Sequence, residues 1–313
     1  KNGKIIESEV KEKLFKNPQK SYTKGLLFAR PSLNKRLKTL PTISDFNSGN
    51  FIEKIITEKE RKEKHKILYS KLPILEIIDL EKKFFKQTLL FKKKKFFHAI
   101  KSFNFKLFKG ETLGLVGESG CGKSTLGRAI IHLDPPSSGK IIYNGKLLTK
   151  KDFSYYNNLR KEIQFIFQDP HSSMNPIKTI GDSIMEVLKV HNILKTRKDR
   201  KKRVNDLLDK VGLSNYYFNR YPHELSGGQK QRAVIARALA TNPKVIICDE
   251  CVAALDISIQ AKILNLLNDL KQELNLSYIF ISHDLSIVKF MSDRIMVMKS
   301  GELIEFEESD LLY

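Results

Sequence analysis

A chain of 313 residues with a 41% hydrophobic share has room for one large domain plus additional material, or for two small ones. Its formal net charge of +21 points to an anionic partner, but Lys is spread almost everywhere among Asn and Ile, which reads as a compositional bias and not as a nucleic-acid footprint on one element. No run of about eighteen apolar residues occurs, so no segment is expected to span a bilayer, and Cys121, Cys248 and Cys251 make no disulfide framework and fit a reducing cytosol.

The first fifteen residues, KNGKIIESEVKEKLF, share text with the last fifteen, KSGELIEFEESDLLY. Lys1, Gly3, Ile6, Glu7, Glu9 and Leu14 recur as Lys299, Gly301, Ile304, Glu305, Glu307 and Leu312, and Phe15 returns as Tyr313. Residues 1–46 mix short apolar patches with Pro18, Pro31 and Pro41, which forbid a long helix. The text then turns polar, with KERKEKHK (59–66) at its heart. A charge run of this kind is a solvated helix or a linker, and 47–73 is read as a charged linker.

At LPILEIIDLEKKFF (72–85) β-type residues begin, and strands alternate with helical stretches from there on. ETLGLVG (111–117) is a short apolar strand running into glycines, followed by a helical KSTLGRAIIHL (123–133). KVIICDE (244–250) is a buried strand ending in two carboxylates, and LSYIFISHD (276–284) is another, ending in a His. Between them QAKILNLLNDLKQEL (260–274) places Ile263, Leu264, Leu267, Leu270 and Leu274 on one helical face. The alternation predicts an α/β core with a largely parallel sheet. Its functional groups gather at the C-terminal ends of strands, where such sheets bind ligands.

GESGCGKS (117–124) fits the pattern G-x-x-x-x-G-K-[ST]. Gly117, Gly120 and Gly122 let the backbone curl so that successive N–H groups point inward at an anion, and the following helix adds its positive end. Lys123 supplies a charge for β- and γ-phosphates, and the Ser124 hydroxyl a ligand for Mg²⁺. An ordinary Gly-rich turn uses similar residues; the strand before and the helix after favour phosphate.

In VIICDE, Asp249 at a strand mouth would hold Mg²⁺ through water, and Glu250 is the natural base for an attacking water. Adjacent carboxylates also decorate surfaces, but the pair's distance downstream of the glycine loop favours the chemical reading. That motif also accounts for Cys248 and Cys251 better than a redox or metal role does. In LSGGQKQR (225–232), Ser226, Gly227 and Gly228 precede a helical QKQRAVIARALA (229–240), offering a hydroxyl and free N–H groups at a helix start. Alone, the string could be an N-cap.

Together these motifs resemble the ATP-binding cassette (ABC) proteins. The resemblance implies a P-loop NTPase of the ABC ATPase type: a mostly parallel sheet core, an antiparallel β subdomain and a helical signature subdomain. Gln168 in FIFQDP resembles the family's Q-loop, Asp256 in AALD its D-loop, and His283 in FISHD its switch histidine. More narrowly, GETLGLVGESGCGKSTLGRAI, IFQDPHSSMNPIKTIGDSI and YPHELSGGQKQRAVIARAL resemble the ATPases of oligopeptide, dipeptide and nickel importers, above all through Asp169, Pro170, Asn175 and Pro176. The likeness covers 74–313.

The resemblance further implies that Gly117, Gly120, Cys121, Gly122, Lys123, Ser124 and Thr125 bind the nucleotide, while Phe84 or its neighbour Phe85 stacks on adenine. An apolar strand would also want those aromatics. Ser124, Gln168 and Asp249 would serve the metal, and Glu250, His283, Lys123 and Gln168 the hydrolysis. Ser226, Gly227, Gly228 and Gln229 would serve the nucleotide of an opposite cassette. ATP and Mg²⁺ are thus the expected cofactors. The expected partners are a second ABC ATPase domain, two transmembrane permease subunits and, indirectly, an extracellular substrate-binding protein. The expected location is the cytoplasmic face of the cell membrane.

The alternative is a soluble ABC ATPase acting on nucleic acid or ribosomes, which the charge would suit. The importer-like text after Gln168 argues against it, and no nucleic acid is expected. Two departures from the family pattern stand out: Cys251 where Pro usually follows the catalytic Glu, and FEES after Glu305 where a Gly is usual.

LFKNPQKSYTKGLLFARPSLNKRLKTLPTI (14–43) resembles the segment that follows the core in the same importer ATPases. Asn17-Pro18, Tyr22-Thr23, Leu26-Leu27 and Pro31-Ser32-Leu33 keep its order, with Ser21 in place of a Pro. The expectation is therefore a tandem arrangement. Residues 1–46 would end a preceding cassette, 47–73 would link, and 74–313 would be the second cassette. The rival is a stand-alone ATPase with an imitating N-terminal extension.

Overall fold

Three short helices, α1 (Lys11–Lys16), α2 (Ser21–Phe28) and α3 (Ile43–Ser48), occupy the N-terminal region, kept short by the intervening prolines. The computed structural model describes residues 3–33, 35–48, 51–86, 95–148, 153–170 and 172–312, so Lys1 and Tyr313 of the matched ends lie outside the described residues.

The charged run read as a linker is helix α4 (Glu58–Tyr69), started by a capping box between Thr57 and Glu60. Its length is mostly solvated, but His65 and Leu68, one turn apart, are buried against the rest of the chain. Lys64 Nζ reaches Asp293 Oδ1 at 2.5 Å, and Arg61 pairs with Asp310. This stretch is a docked helix.

Strands β1 (Pro73–Lys86) and β2 (Lys95–Phe108) pair antiparallel. With β4 (Ser138–Tyr143) and β5 (Lys146–Leu147) they form a four-stranded sheet in the order β2-β1-β4-β5. The larger sheet starts with β3 (Thr112–Val116), which is buried along its whole length and leads through the glycine loop into α5 (Lys123–Ile130). Helix α5 stops three residues short of the expected 133. His132 adopts a left-handed φ of 54°, and the Leu133 and His132 amides bond back to Arg128 and Ala129 as in a left-handed C-terminal stop.

After α6 (Phe153–Glu162) and β6 (Ile163–Ile166) come three helices, α7 (Ile180–Val190), α8 (Arg197–Lys210) and α9 (Gly227–Leu239), which pack on one another as a helical layer. The chain then returns through β7 (Val245–Asp249), α10 (Ile257–Leu274), β8 (Ser277–Ile281), α11 (Leu285–Met291), β9 (Arg294–Lys299) and β10 (Glu302–Glu308). Helix α10 begins three residues earlier than its apolar period, because Asp256 caps it by accepting the Ile259 amide at 3.0 Å.

The larger sheet runs β10-β9-β3-β8-β7-β6, parallel throughout except for the antiparallel edge strand β10. Strand periodicity splits the core in two. On β8, Tyr278 and Phe280 face the helical layer, with Ile263 and Leu267 of α10 and Ile235 of α9 in the same cluster. Ile279 and Ile281 face the other way, in one cluster with Leu126 of α5 and with Ile77 and Phe103 of the antiparallel sheet. This is the expected architecture of parallel core, antiparallel sheet and helical layer. No helix among the described residues is long and apolar enough to cross a membrane.

One buried carboxylate ties the pieces together. Asp293, 2% exposed, accepts the Thr112 amide at 2.9 Å and lies 3.1 Å from the Lys271 ammonium. Burial pushes its carboxyl up, but the Lys271 charge, the His65 imidazole 3.7 Å away and the Lys64 and Arg36 charges together hold it well below the usual carboxylate range. Asp293→Asn strands a buried Lys271 and is expected to cost about 3–5 kcal/mol in urea unfolding. The sign follows from the depressed folded pKa. The contribution is complete above the unfolded value of about 4 and is lost as pH falls below it. Wild type should therefore lose more stability than the variant on acidification through that window. Equal stability of the two at neutral pH would contradict the assignment.

Candidate active site

The loop joining β3 to α5 is shaped by what presses on it. A Cβ at Gly117 would lie 2.1 Å from the Met298 carbonyl oxygen, and one at Gly122 2.3 Å from that of Ala99. Gly122 also has φ 113° as the N-cap of α5, so only glycine fits there. Lys123 is 5% exposed and donates from Nζ to the Gly117 oxygen at 2.7 Å and the Glu118 oxygen at 2.9 Å. Its ammonium is thus held in the concavity of its own loop. Cys121 is buried beneath it, its carbonyl accepting the Gly301 amide at 2.9 Å.

β7 brings Asp249 to the next turn of the site, where the Ser124 hydroxyl donates to Asp249 Oδ1 at 2.9 Å. Burial pushes the Asp249 carboxyl above its usual range; the Ser124 bond draws it back, and the neighbouring Glu250 charge adds to the rise. One buried carboxylate and one hydroxyl, side by side, suit Mg²⁺, which takes few protein ligands and completes its shell with phosphate and water. No cluster of three or more His, Cys, Asp or Glu among the described residues could cage a metal on its own.

Glu250 sits at a left-handed φ of 47°, strained by about 1–2 kcal/mol for a non-glycine residue. The bond from its amide to the Ile281 oxygen at 2.9 Å anchors it there. Its Oε2 accepts from Gln168 Nε2 at 2.8 Å and lies 3.5 Å from His283 Nδ1. Three strands thus deliver Gln168, Glu250 and His283 to one carboxylate oxygen. Cys251 turns inward, 3% exposed, beside Cys248, whose buried thiol is pushed well up by that neighbour and by burial.

Phe84, Gly120, Gly122, Lys123, Ser124, Thr125, Gln168 and Glu250 line one cleft. So does Phe97, the cross-strand partner of Phe84, which the sequence reading missed; finding it requires the β1–β2 register. Arg128 and Arg237 were missed as well. They line an adjoining depression with Gln168 and Asp249, and Arg237 Nη1 donates to the Ser173 oxygen at 2.6 Å.

Ser226, Gly227, Gly228 and Gln229 stand apart from that cleft. Ser226 caps α9 and exchanges a capping box with Gln229, whose Nε2 donates to the Tyr217 hydroxyl at 2.7 Å. A Cβ at Gly228 would meet Ile259 at 2.6 Å, so this glycine lets α9 approach α10. Ser226 and Gly227 face outward. Asp256 is engaged in capping α10, its Oδ1 accepting from Ser258 Oγ at 2.6 Å.

A family model described as ABC transporter matches residues 100–253. The chain is 51% identical over 216 residues to the oligopeptide transport ATP-binding protein OppF of Bacillus subtilis, covering 69% of this chain and 71% of that protein. To the glutathione import ATP-binding protein GsiA it is 42% identical over 308 residues in Pectobacterium atrosepticum and 44% over 309 in Escherichia coli. Those matches take in 97% of this chain and 48% of GsiA, so the chain spans about half the length of these relatives. Among solved structures, the dimeric post-hydrolysis state of the ATP-binding cassette MJ0796 bound to ADP and Pi aligns with a TM-score of 0.66 at 29% identity, over 75% of this chain and 98% of that one. The structure of cbiO1 from Clostridium perfringens, part of the ABC transporter complex cbiONQ, gives 0.66 at 29% identity over 77% of this chain and 91% of that one.

Proposed function

The chain belongs to the ABC transporter family, and we propose that residues 74–313 are a cassette that binds and hydrolyses ATP to power import of oligopeptides or related small solutes. The observation that carries the chemistry is the single Glu250 oxygen reached by Gln168 and faced by His283, beside a glycine loop that holds Lys123. The phosphates lie in the loop's N–H groups, with adenine against Phe84. Ser124, Asp249 and Gln168 would hold Mg²⁺, which when bound neutralises charge on the β- and γ-phosphates. Glu250 orients and deprotonates the attacking water, and His283 stabilises charge on the γ-phosphate.

Ser226, Gly227, Gly228 and Gln229 serve the nucleotide of a second cassette placed head to tail. The exposure of Ser226 and Gly227 supports this, as does the dimeric form of the similar cassette MJ0796. Closure around two ATPs and separation after hydrolysis drive two transmembrane permease subunits at the cytoplasmic face of the membrane. An extracellular binding protein delivers the solute. The names of OppF and GsiA support a peptide cargo.

The arrangement of the longer polypeptide follows the same reading. Residues 1–46 end a preceding cassette, 47–73 form the connection, and 74–313 are the second cassette. Support comes from the importer-type text at 14–43 and from the GsiA match, which takes in 97% of this chain but only 48% of GsiA. A tether of this kind raises the effective concentration of the partner cassette. Intact-mass analysis of the native polypeptide tests it: about twice the 36.1 kDa of this chain is expected, and a value near 36.1 kDa would contradict it.

Ser226→Arg tests the two-sided site. It should leave ATP binding by the isolated chain within about twofold while abolishing ATP-driven pairing, because the bulky cation sits on the surface that meets the opposite nucleotide. Loss of binding by the monomer, with pairing intact in ultracentrifugation, would reverse the assignment.

A further inference from the structure

Helix α11 begins two residues after His283 and is gripped by a segment from the other end of the chain. Lys289 on α11, 7% exposed, donates from Nζ to the Leu33 oxygen at 2.7 Å. Arg36 donates to the Ser292 oxygen at the C-terminal end of α11, where a cation also complements the helix dipole. The same guanidinium donates to Ser309 Oγ at 2.7 Å and to Asp310 Oδ2 at 3.0 Å. Asp310 in turn pairs with Arg61 of α4 and lies 3.8 Å from Lys289. A second attachment needs no charge: Asn265 of α10 exchanges two 2.8 Å hydrogen bonds with the backbone of Leu40, which is 1% exposed.

The opposite side of α11 has little freedom. A Cβ at Gly114 of β3 would lie 2.5 Å from both Val288 and Ser292, so the helix rests directly on the strand that feeds the glycine loop. The helix is thus pressed between that strand and the N-terminal segment. Its N-terminal end is tied by Asp284, which accepts the Ser286 amide at 2.8 Å, one residue beyond His283.

We propose that the segment carrying Leu33, Arg36 and Leu40 is a clasp that fixes α11, and through α11 the position of His283, so that the chain preceding this cassette governs the hydrolytic site. This rests on the reading of His283 as the contact to the γ-phosphate. Arg36, Lys289 and Asp310 are positioning residues: none lines the cleft of Lys123 and Glu250, and each acts through the helix. In the tandem arrangement the clasp is the end of one cassette holding the switch of the next. Separation of the cassettes would then pull on His283 through α11.

The test uses the full chain carrying Arg36→Ala and, separately, the uncharged route Asn265→Ala. Three readouts are followed: amide exchange of α11 against α5, the imidazole NMR resonance of His283 (assigned by its loss in His283→Gln), and ATP turnover. Each variant is expected to speed exchange in α11 by about tenfold while leaving α5 unchanged. The His283 resonance should shift, and kcat should fall about tenfold with KM within about twofold. Exchange that rises equally in α5 and α11 would mean that the segment only stabilises the fold, and would overturn the proposal. So would faster α11 exchange with the His283 resonance unmoved. If the unaltered chain turns over no ATP at concentrations where it pairs, the reading of the site fails, and the His283 resonance alone still decides the clasp.

Discussion

Glu250→Gln is expected to reduce ATP turnover by about 10²–10⁴-fold while ATP affinity stays within about twofold. The substitution keeps the side chain's shape and can still accept from Gln168 Nε2, so the 2.8 Å contact that organises the site survives. What disappears is the carboxylate proposed to take the proton from the attacking water. Binding should be spared because the groups proposed to meet the phosphates in the ground state, Lys123 and the amides of the glycine loop, are untouched. Single-turnover phosphate release measures the effect. A rate close to wild type would remove Glu250 from the chemistry.

Lys123→Ala acts on the other half of the site. It removes a charged donor already buried in the loop, so its loss is felt in the ground state as well as the transition state. Charge-assisted hydrogen bonds contribute about 1.5–3 kcal/mol each, so losing one or two lowers ATP affinity by about 100-fold. The Gly117 and Glu118 carbonyls also lose their partner, which argues for checking the melting transition alongside the titration. Calorimetric titration with the variant folded is the measurement, and a Kd within about threefold of wild type would contradict the role.

Much of this arrangement was legible before any coordinates. The glycine loop, the carboxylate pair after an apolar strand and the capping string at 225–232 are local patterns, and local patterns survive being read as text. Strand order was legible only as alternation. What the text hid is what depends on long-range register. Phe97 enters the cleft because it pairs with Phe84 across the β1–β2 ladder, and nothing in KKFFHA announces that partner.

Helix α4 was hidden for a different reason. Its charges dominate every window, yet His65 and Leu68 need only one turn of spacing to bury a face, and Asp293, which His65 faces, lies 228 residues away. The early end of α5 followed from His132 taking a left-handed conformation, which helix propensity does not foretell. Arg237 reads as one more basic residue on α9; only the fold brings it to the Ser173 carbonyl beside Gln168.

The central claim is that hydrolysis needs two cassettes, because Ser226 and Gly227 are exposed and lie outside the cleft that Lys123 and Glu250 line. Phosphate release per chain, measured at saturating ATP and Mg²⁺ over a wide range of chain concentration, tests it most directly. The rate per chain should rise with concentration as pairing fills, and Ser226→Arg should remove both the rise and the turnover. A rate per chain that is constant across the range and survives in Ser226→Arg would show that one cassette hydrolyses ATP unaided, and would contradict the account.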